Sequence, residues 1–376
     1  MKKAVLLLLL SLFVVAEAEK RNYLLKPTVS VFINELVDFE DMNRTYLTNL
    51  FESVTYQQTP LSFYNKKIKP LASKKRPNKK RSKPLGTGSW DKYSHNLLKA
   101  SRVKRGQAYL KKHKKVLNRA YKKYGVSPEY ITAIIGIESY YGANTGKYPV
   151  FDTLATLAFE TNRRQSFFRS ELKAFLLLAK EQKINPKKVK GSYAGAIGLG
   201  QFMPTNYKPL AIDFNNDGKI SLHNHSDAIG SIAHYLKKSG WQKNQEVAIP
   251  VSFFGKRYRA KKTGYKYKYK RVQLRELRTK RVTNYRGDIY LIKLERSDHD
   301  EIWFGTKNFY AITRYNHDEY YAMAVYQLAQ KIVGKSVHYH NGIKNKFIDD
   351  TIMPTTQLDS FLDAPTRGRQ FIIDLE

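Results

Sequence analysis

The chain has 376 residues and carries 67 Lys and Arg against 32 Asp and Glu, a formal net charge of +35. At roughly 100–200 residues per domain this length suggests two or three structural units, and 42% hydrophobic residues with 13% aromatics exclude a wholly disordered chain. The absence of cysteine excludes a disulfide scaffold, a Cys-ligated zinc site, an iron–sulfur centre and a thiol nucleophile, while the excess positive charge calls for polyanionic surroundings without choosing among nucleic acid, an anionic membrane face and an acidic polymer.

The first eighteen residues begin to choose. Lys2 and Lys3 precede an apolar run from Ala4 to Val15, followed by Ala16-Glu17-Ala18. A basic start, a short apolar stretch and small residues at a cleavage point describe a secretory signal peptide over 1–18, and the run is short for a membrane span of about 20 residues. An exported protein favours cell-wall or envelope polymers over intracellular nucleic acid. Residues 28–57 read as helix, within an N-terminal helical region over 19–65. From Lys66 to Lys83 there are ten basic residues and no acidic ones, a solvated basic stretch that makes 66–88 a linker-like segment.

Helical spacing resumes at 103–126, then at Pro128–Tyr141, 152–160, 166–182 and 227–239, with no strand–helix repeat, so 89–245 reads as an α core. The next stretch differs. Val247 to Phe253, Tyr265 to Tyr269 and Asp288 to Ile292 alternate with period two and are rich in β-branched and aromatic residues, which predicts a small antiparallel β insertion over 246–300. Helix returns over 308–333, restoring the core across 301–340. The tail 341–376, with Pro354 and Pro365, carries no clear pattern. The fold class expected is mainly α with a small β insertion.

Three stretches carry chemistry. In Ile131–Gly142 the apolar positions 131, 134 and 135 and the carboxylate Glu138 stand at i, i+3, i+4 and i+7, on one helix face. A glutamate in a buried stripe must be paired, metal-bound or desolvated, and desolvation raises its pKa. That suits a general acid protonating a leaving oxygen near neutral pH. The segment Gly191–Pro204 has glycines at 191, 195, 198 and 200, which permit close backbone approach; Ser192 and Gln201 beside them suit a narrow cleft for a neutral, hydroxyl-rich ligand. Asp213-Phe214-Asn215-Asn216-Asp217-Gly218-Lys219 matches the first half of a calcium loop, with oxygen ligands at positions 1, 3 and 5, a glycine at 6 and a carbonyl at 7. Asn224 stands where that loop usually has Glu, and Asp227 could close the shell from the following helix. The pairs His223/His225 and His338/His340 are too sparse to indicate a transition metal.

In order along the chain, Y-G-V-S-P-E-Y-I-T-A-I-I-G-I-E-S-Y-Y-G, F-D-T-L-A-T-L-A-F, G-S-Y-A-G-A-I-G-L-G-Q-F-M-P, D-F-N-N-D-G-K-I and N-F-Y-A-I-T-R-Y-N resemble the lytic murein transglycosylases of the B type, over about Val31 to Ile332. The resemblance implies a lysozyme-like α core with an additional helical domain and a small antiparallel β domain. It implies a periplasmic enzyme cleaving the β-1,4 bond between N-acetylmuramic acid and N-acetylglucosamine, with 1,6-anhydromuramyl ends and Glu138 as the single acid/base. Ser192, Gln201, the pair Arg163 and Arg164, and Tyr93, Tyr235, Tyr315, Asn316 and Tyr321 match substrate-cleft positions. Asp213, Asn215, Asp217, the Lys219 carbonyl and Asp227 match a structural calcium site, with no cofactor required for the chemistry. Where the family tends to have a tyrosine after the arginine pair, this chain has Phe167. Ordinary glycosidases pair two carboxylates, and here Asp152 reads as a helix cap for 153–159. The partners expected are peptidoglycan glycan strands, with cell-wall or membrane-surface anions through the basic segments and no nucleic acid. The competing classes are a non-catalytic wall-binding scaffold, against which Glu138 counts, and a basic nucleic-acid-binding protein, against which the export signal counts.

Overall fold

The computed structural model describes residues 22–65, 88–253 and 257–336. The readings at 1–18, 66–83 and 341–376, and the pair His338/His340, lie outside the described residues. The chain divides into two compact units. One holds the described part of Met1–Leu71 with Gly146–Ile197 and Phe202–Lys208; the other holds the described parts of Ala72–Thr145 and Pro209–Glu376, with Gly198–Gln201.

In chain order the elements are α1 (Pro27–Glu40), α2 (Arg44–Glu52), α3 (Gln58–Tyr64), α4 (Ser89–Ser94), α5 (Ala100–Lys112), α6 (Lys114–Tyr124), α7 (Pro128–Ser139), β1 (Tyr148–Pro149), α8 (Val150–Glu160), α9 (Gln165–Glu181), β2 (Lys190–Gly191), α10 (Pro204–Leu210) and α11 (His225–Lys238). There follow β3 (Ala248–Phe253), β4 (Lys268–Tyr269), β5 (Leu277–Thr279), β6 (Ile289–Glu295), β7 (Asp300–Gly305), α12 (Lys307–Tyr315) and α13 (Glu319–Ile332). Three expected helices are each two. The reading at 28–57 breaks where Asp41 turns left-handed (φ 48°) and the Asn43 side chain caps α2 by accepting from Tyr46 N–H. The reading at 103–126 breaks at His113, with neither glycine nor proline to announce it. The reading at 308–333 breaks between Asn316 and the N-cap Asp318.

The first unit is built on α8, whose residues 150–159 are all buried. Phe32, Phe51, Phe151 and Phe159 meet edge to face at 5.5–6.1 Å around it, the arrangement favoured by ring quadrupoles. Asp152 is not the cap expected: α8 begins two residues earlier, at Val150. Asp152 is instead a buried tie, its Oδ1 accepting from Thr55 N–H at 3.0 Å and from Lys187 Nζ at 2.6 Å.

In the second unit α7 is the central helix, packed by α5, α6, α11 and α13. Five of its twelve residues are β-branched (Ile131, Thr132, Ile134, Ile135, Ile137) and intrinsically poor helix formers. Burial of residues 130–136 holds it, as tertiary packing usually does. The sheet of this unit runs β4-β6-β7-β3-β5, antiparallel throughout. Only Lys268–Tyr269 of the alternating Tyr/Lys stretch pairs as strand, and β7 continues to Gly305. One sheet face turns Ile249, Val251, Ile289, Leu291, Ile302 and Phe304 into a small core closed by Leu274 and Leu277. The other carries Trp303 against Tyr326 of α13 and Tyr290 against Tyr310 of α12. Among the described residues no helix is long and apolar enough to cross a membrane.

Candidate active site

Glu138 stands in the last turn of α7, where the helix is stopped by force. Tyr140 (φ 51°) and Tyr141 (φ 61°) are both left-handed without being glycine, a conformation costing about 1–2 kcal/mol per residue. Their neighbours impose it. Gly136 leaves room for the Tyr141 ring, whose atoms would lie 2.5–2.8 Å from any Cβ there. The Tyr141 hydroxyl donates to Arg102 carbonyl at 2.9 Å, and the guanidinium groups of Arg102 and Arg105 cover the Tyr140 ring at 4.8 and 4.6 Å. Arg102 also donates to Gly136 carbonyl. Two arginines of α5 thus clamp the turn that aims Glu138.

The Tyr321 hydroxyl donates to the carboxyl Oε1 at 2.5 Å. Part of the Glu138 side chain remains accessible, yet the carboxyl itself is enclosed, and desolvation raises its pKa to about 7 against the opposing pull of the Tyr321 bond. Tyr321 opens α13, its own N–H held by the Asp318 side chain at 2.9 Å. Its ring stacks on Tyr315 (6.4 Å between centroids, planes 6° apart), and Tyr315 meets Tyr235 of α11 at 4.7 Å. Tyr235 in turn donates to Arg314 carbonyl. Tyr315 donates to Gly200 carbonyl at 2.5 Å, which ties the aromatic wall to the Gly-rich loop. Gln201 in that loop is left-handed (φ 51°), with Nε2 donating to Gly198 and Thr145 carbonyls at 2.8 and 3.1 Å. Gly198 (φ 76°) is required there, since a Cβ would stand 2.4 Å from Leu222 carbonyl. Asn316 is the extended residue ending α12. Tyr93 of α4 stacks on Trp90 at 6.1 Å; burial raises its pKa, with the negative charges of Asp318 and Glu138 adding to the effect.

Glu138, Tyr93, Gln201, Tyr235, Tyr315, Asn316 and Tyr321 all belong to the second unit. Asp318 was missed from sequence, although Asp before a new helix is a cap signal. It is a carboxylate near Tyr93, but it is held by the N–H groups of Tyr320 and Tyr321 and does not figure among the causes that shift Glu138. Removing the Tyr321 hydroxyl (Tyr321→Phe) leaves desolvation unopposed, so the Glu138 pKa should rise further. The alkaline limb of the pH–activity profile should then move upward, with about tenfold lower turnover; an unmoved limb would separate Tyr321 from Glu138.

Arg163, Arg164 and Ser192 belong to the first unit. Arg163 is exposed. Arg164 is left-handed (φ 57°) at the start of α9 and lies over the Phe167 ring at 4.1 Å. The Phe167 ring therefore has a cationic partner. Ser192 is buried, and its hydroxyl accepts from Ala194 and Ala196 N–H at 3.2 and 3.0 Å, so it shapes its own loop. Tyr193 beside it meets Phe63 and Tyr64 at 4.8 and 6.0 Å. This aromatic cluster was not singled out in the sequence because Tyr193 lies 129 or more residues from Phe63 and Tyr64.

The loop 213–227 is organised by carboxylates gripping backbone. Asp213 accepts from the N–H groups of Asn216, Asp217 and Gly218 at 2.6–3.2 Å. Asp217 accepts from Lys219 N–H, and its other oxygen takes the Asn215 amide at 2.8 Å. The fully buried Asp227 accepts from Phe214, Asn215 and Ser221 N–H at 2.9–3.3 Å. The donors are all hard oxygens and Gly218 turns at φ 82°, a set that fits calcium chemistry. Among the described residues, however, no three His, Asp or Glu side chains converge as a metal cluster.

A model of the transglycosylase SLT domain matches residues 25–330. Membrane-bound lytic murein transglycosylase B of Escherichia coli (strain K12) is 37% identical over 308 residues, covering 81% of this chain and 82% of that one. The chain belongs to the lytic transglycosylase family. Among solved structures, Escherichia coli lytic transglycosylase SLT35 in complex with calcium matches at TM-score 0.73 and 35% identity, over 82% of this chain and 93% of that one. SltB3 from Pseudomonas aeruginosa in complex with NAG-anhNAM-pentapeptide matches at TM-score 0.67 and 26% identity, over 82% of this chain and 79% of that one. The mainly helical, lysozyme-like fold class expected from sequence holds, and the transglycosylase is an enzyme acting on murein.

Proposed function

We propose that this transglycosylase cleaves the β-1,4 bond between N-acetylmuramic acid and N-acetylglucosamine without water, with Glu138 as its only acid/base. The observation that carries the reading is the carboxyl itself: desolvated, raised to about 7, and bonded to a neutral hydroxyl. Such a group holds its proton near neutral pH and can give it to the glycosidic oxygen as the bond to C1 breaks. The muramyl 2-acetamido oxygen then bonds to C1, with Asn316 as the side chain that orients it. Glu138, now a carboxylate steadied by Tyr321, takes the proton of the same sugar's C6 hydroxyl. That oxygen closes onto C1 and displaces the acetamido oxygen, leaving a 1,6-anhydro end and restoring protonated Glu138. Tyr93, Tyr235, Tyr315, Gln201, Ser192, Arg163 and Arg164 are the residues proposed to bind the glycan and its stem peptides. The complex of SltB3 with NAG-anhNAM-pentapeptide supports an anhydro product here by analogy. Mass spectrometry of digested sacculi tests this: anhydro ends, lighter by one water than reducing ends, are expected, and hydrated ends would overturn it.

The same reading places a structural calcium ion on Asp213, Asn215, Asp217, the Lys219 carbonyl and Asp227, supported by the calcium complex of SLT35. The ion would brace the loop before α11 and take no part in proton transfer. Calcium should raise the melting temperature of the wild type in proportion to the logarithm of its concentration and should leave Asp213→Ala unchanged; equal responses would remove the site. Export through residues 1–18 and work in the periplasm complete the reading.

A further inference from the structure

The short helix α4 (Ser89–Ser94) cannot hold itself. An isolated helix of fewer than about twelve residues is marginal in water, and the N-cap of α4, Gly88, offers no side-chain cap. Its fixed place comes from what grips it, and the turn between β6 and β7 does so. Arg296 Nε donates to Asp91 Oδ1 at 2.8 Å, and Ser297 N–H donates to Asp91 Oδ2 at 2.8 Å. The Ser89 hydroxyl donates to Glu295 Oε2 at 2.9 Å. The main chain of Glu295 and Arg296 lies so close to Gly88 that a Cβ there would collide with it. Arg296 is itself anchored. Its Nη1 donates to Glu301 Oε1 at 2.9 Å, while the indole N–H of the buried Trp303 donates to Glu301 Oε2 at 3.1 Å. One guanidinium thus joins a carboxylate of α4 to a buried carboxylate of β7, a task suited to the planar fork of arginine.

What α4 carries gives the grip a purpose. Tyr93 follows Asp91 by two residues, stacks on Trp90 at 6.1 Å and meets Tyr320 of α13 at 5.6 Å. The negative charge of Glu138 is felt at the Tyr93 hydroxyl, so this ring stands near the carboxyl of the site. We infer that Arg296 is a positioning residue: acting through Asp91, it holds Tyr93 in the glycan cleft, and the β insertion thereby braces one wall of the site. Neither Arg296 nor Asp91 figures among the causes that shift Glu138, so the effect is one of place and not of charge. The inference rests on the reading of Tyr93 as a glycan contact and goes beyond it, since nothing in the cleavage chemistry calls for the sheet.

Amide hydrogen exchange of the full chain reads the brace, and turnover of short soluble glycans reads its consequence. In Arg296→Met the amides of 89–94 should exchange about tenfold faster, as expected for a lost hydrogen bond between charged groups, while those of α7 keep their rate. KM should rise about tenfold with kcat changed far less, the mark of lost binding. Asp91→Asn guards against misfolding, because it leaves the pair of Arg296 and Glu301 intact; it should show the same changes at smaller size. Tyr93→Ala should raise KM by a similar factor, and adding Arg296→Met to it should raise KM no further. Unchanged exchange at 89–94 in both Arg296→Met and Asp91→Asn, or effects on KM that multiply in the double variant, would overturn the proposal. Faster exchange together with a wild-type KM in Tyr93→Ala would uphold the brace and overturn the glycan role of Tyr93.

Discussion

Glu138→Gln should abolish murein cleavage, lowering turnover by about three to four orders of magnitude, while leaving the fold intact. General acid–base catalysis contributes roughly a hundredfold to ten-thousandfold in one step, and in the proposed reaction one group serves as acid and then as base. Gln keeps the size of the side chain and an acceptor for the Tyr321 hydroxyl, so the aromatic wall of Tyr321, Tyr315 and Tyr235 need not move. The same variant should be more stable than the wild type at high pH. Burial raises Glu138 to about 7 from the ordinary 4.5, so between these values the folded chain keeps a proton that the unfolded chain has lost. The stability of the wild type therefore falls as pH rises through that window and is lowest, by up to about 3 kcal/mol, above it. Melting curves should show Glu138→Gln ahead of wild type at pH about 8 and level with it near pH 4. A variant that still lyses sacculi, or one no more stable at high pH, would break the link between burial and catalysis.

Asp227→Ala should give the largest loss of stability. The carboxylate is fully buried in the first turn of α11 and satisfies the N–H groups of Phe214, Asn215 and Ser221. Alanine would strand three donors in and around the loop. At about 1–3 kcal/mol for each buried group left unmade, a loss of about 3–5 kcal/mol is expected, near 10 °C in melting temperature. Asp227→Asn should fall between, since the amide oxygen can still accept from Phe214 and Asn215 while its NH₂ would face another donor, the Ser221 N–H. Calorimetry decides it, and an unaltered melting temperature would mean that the loop does not depend on this carboxylate.

Both residues were visible in the sequence, for different reasons. Glu138 was out of phase with solvent on an apolar helix face, and periodicity alone exposes that. Asp227 was noticed only as a distant member of a calcium loop; its role as acceptor for three backbone donors depends on how the loop folds back. What stayed hidden follows one rule. The helix break at His113 has no glycine or proline, and the left-handed turn at Tyr140 and Tyr141 is imposed from outside by Gly136, Arg102 and Arg105. Asp152 looked like a cap because local position is all a sequence offers, whereas its partners Thr55 and Lys187 lie 97 and 35 residues away. Local chemistry was legible, and packing from afar was not.

The charge of +35 is likewise divided between segments whose roles differ from that of the site. The wall of the site is largely aromatic and neutral, and the cations that cover Tyr140 there act as a clamp.

Digestion of sacculi in heavy-oxygen water, followed by mass spectrometry of the released glycans, tests the central claim most directly. Closure of the C6 hydroxyl onto C1 uses no solvent oxygen, so wild-type products should be unlabelled anhydro sugars, and Glu138→Gln should release almost none. A reducing end carrying one heavy oxygen would show that water attacks C1 and would contradict the account.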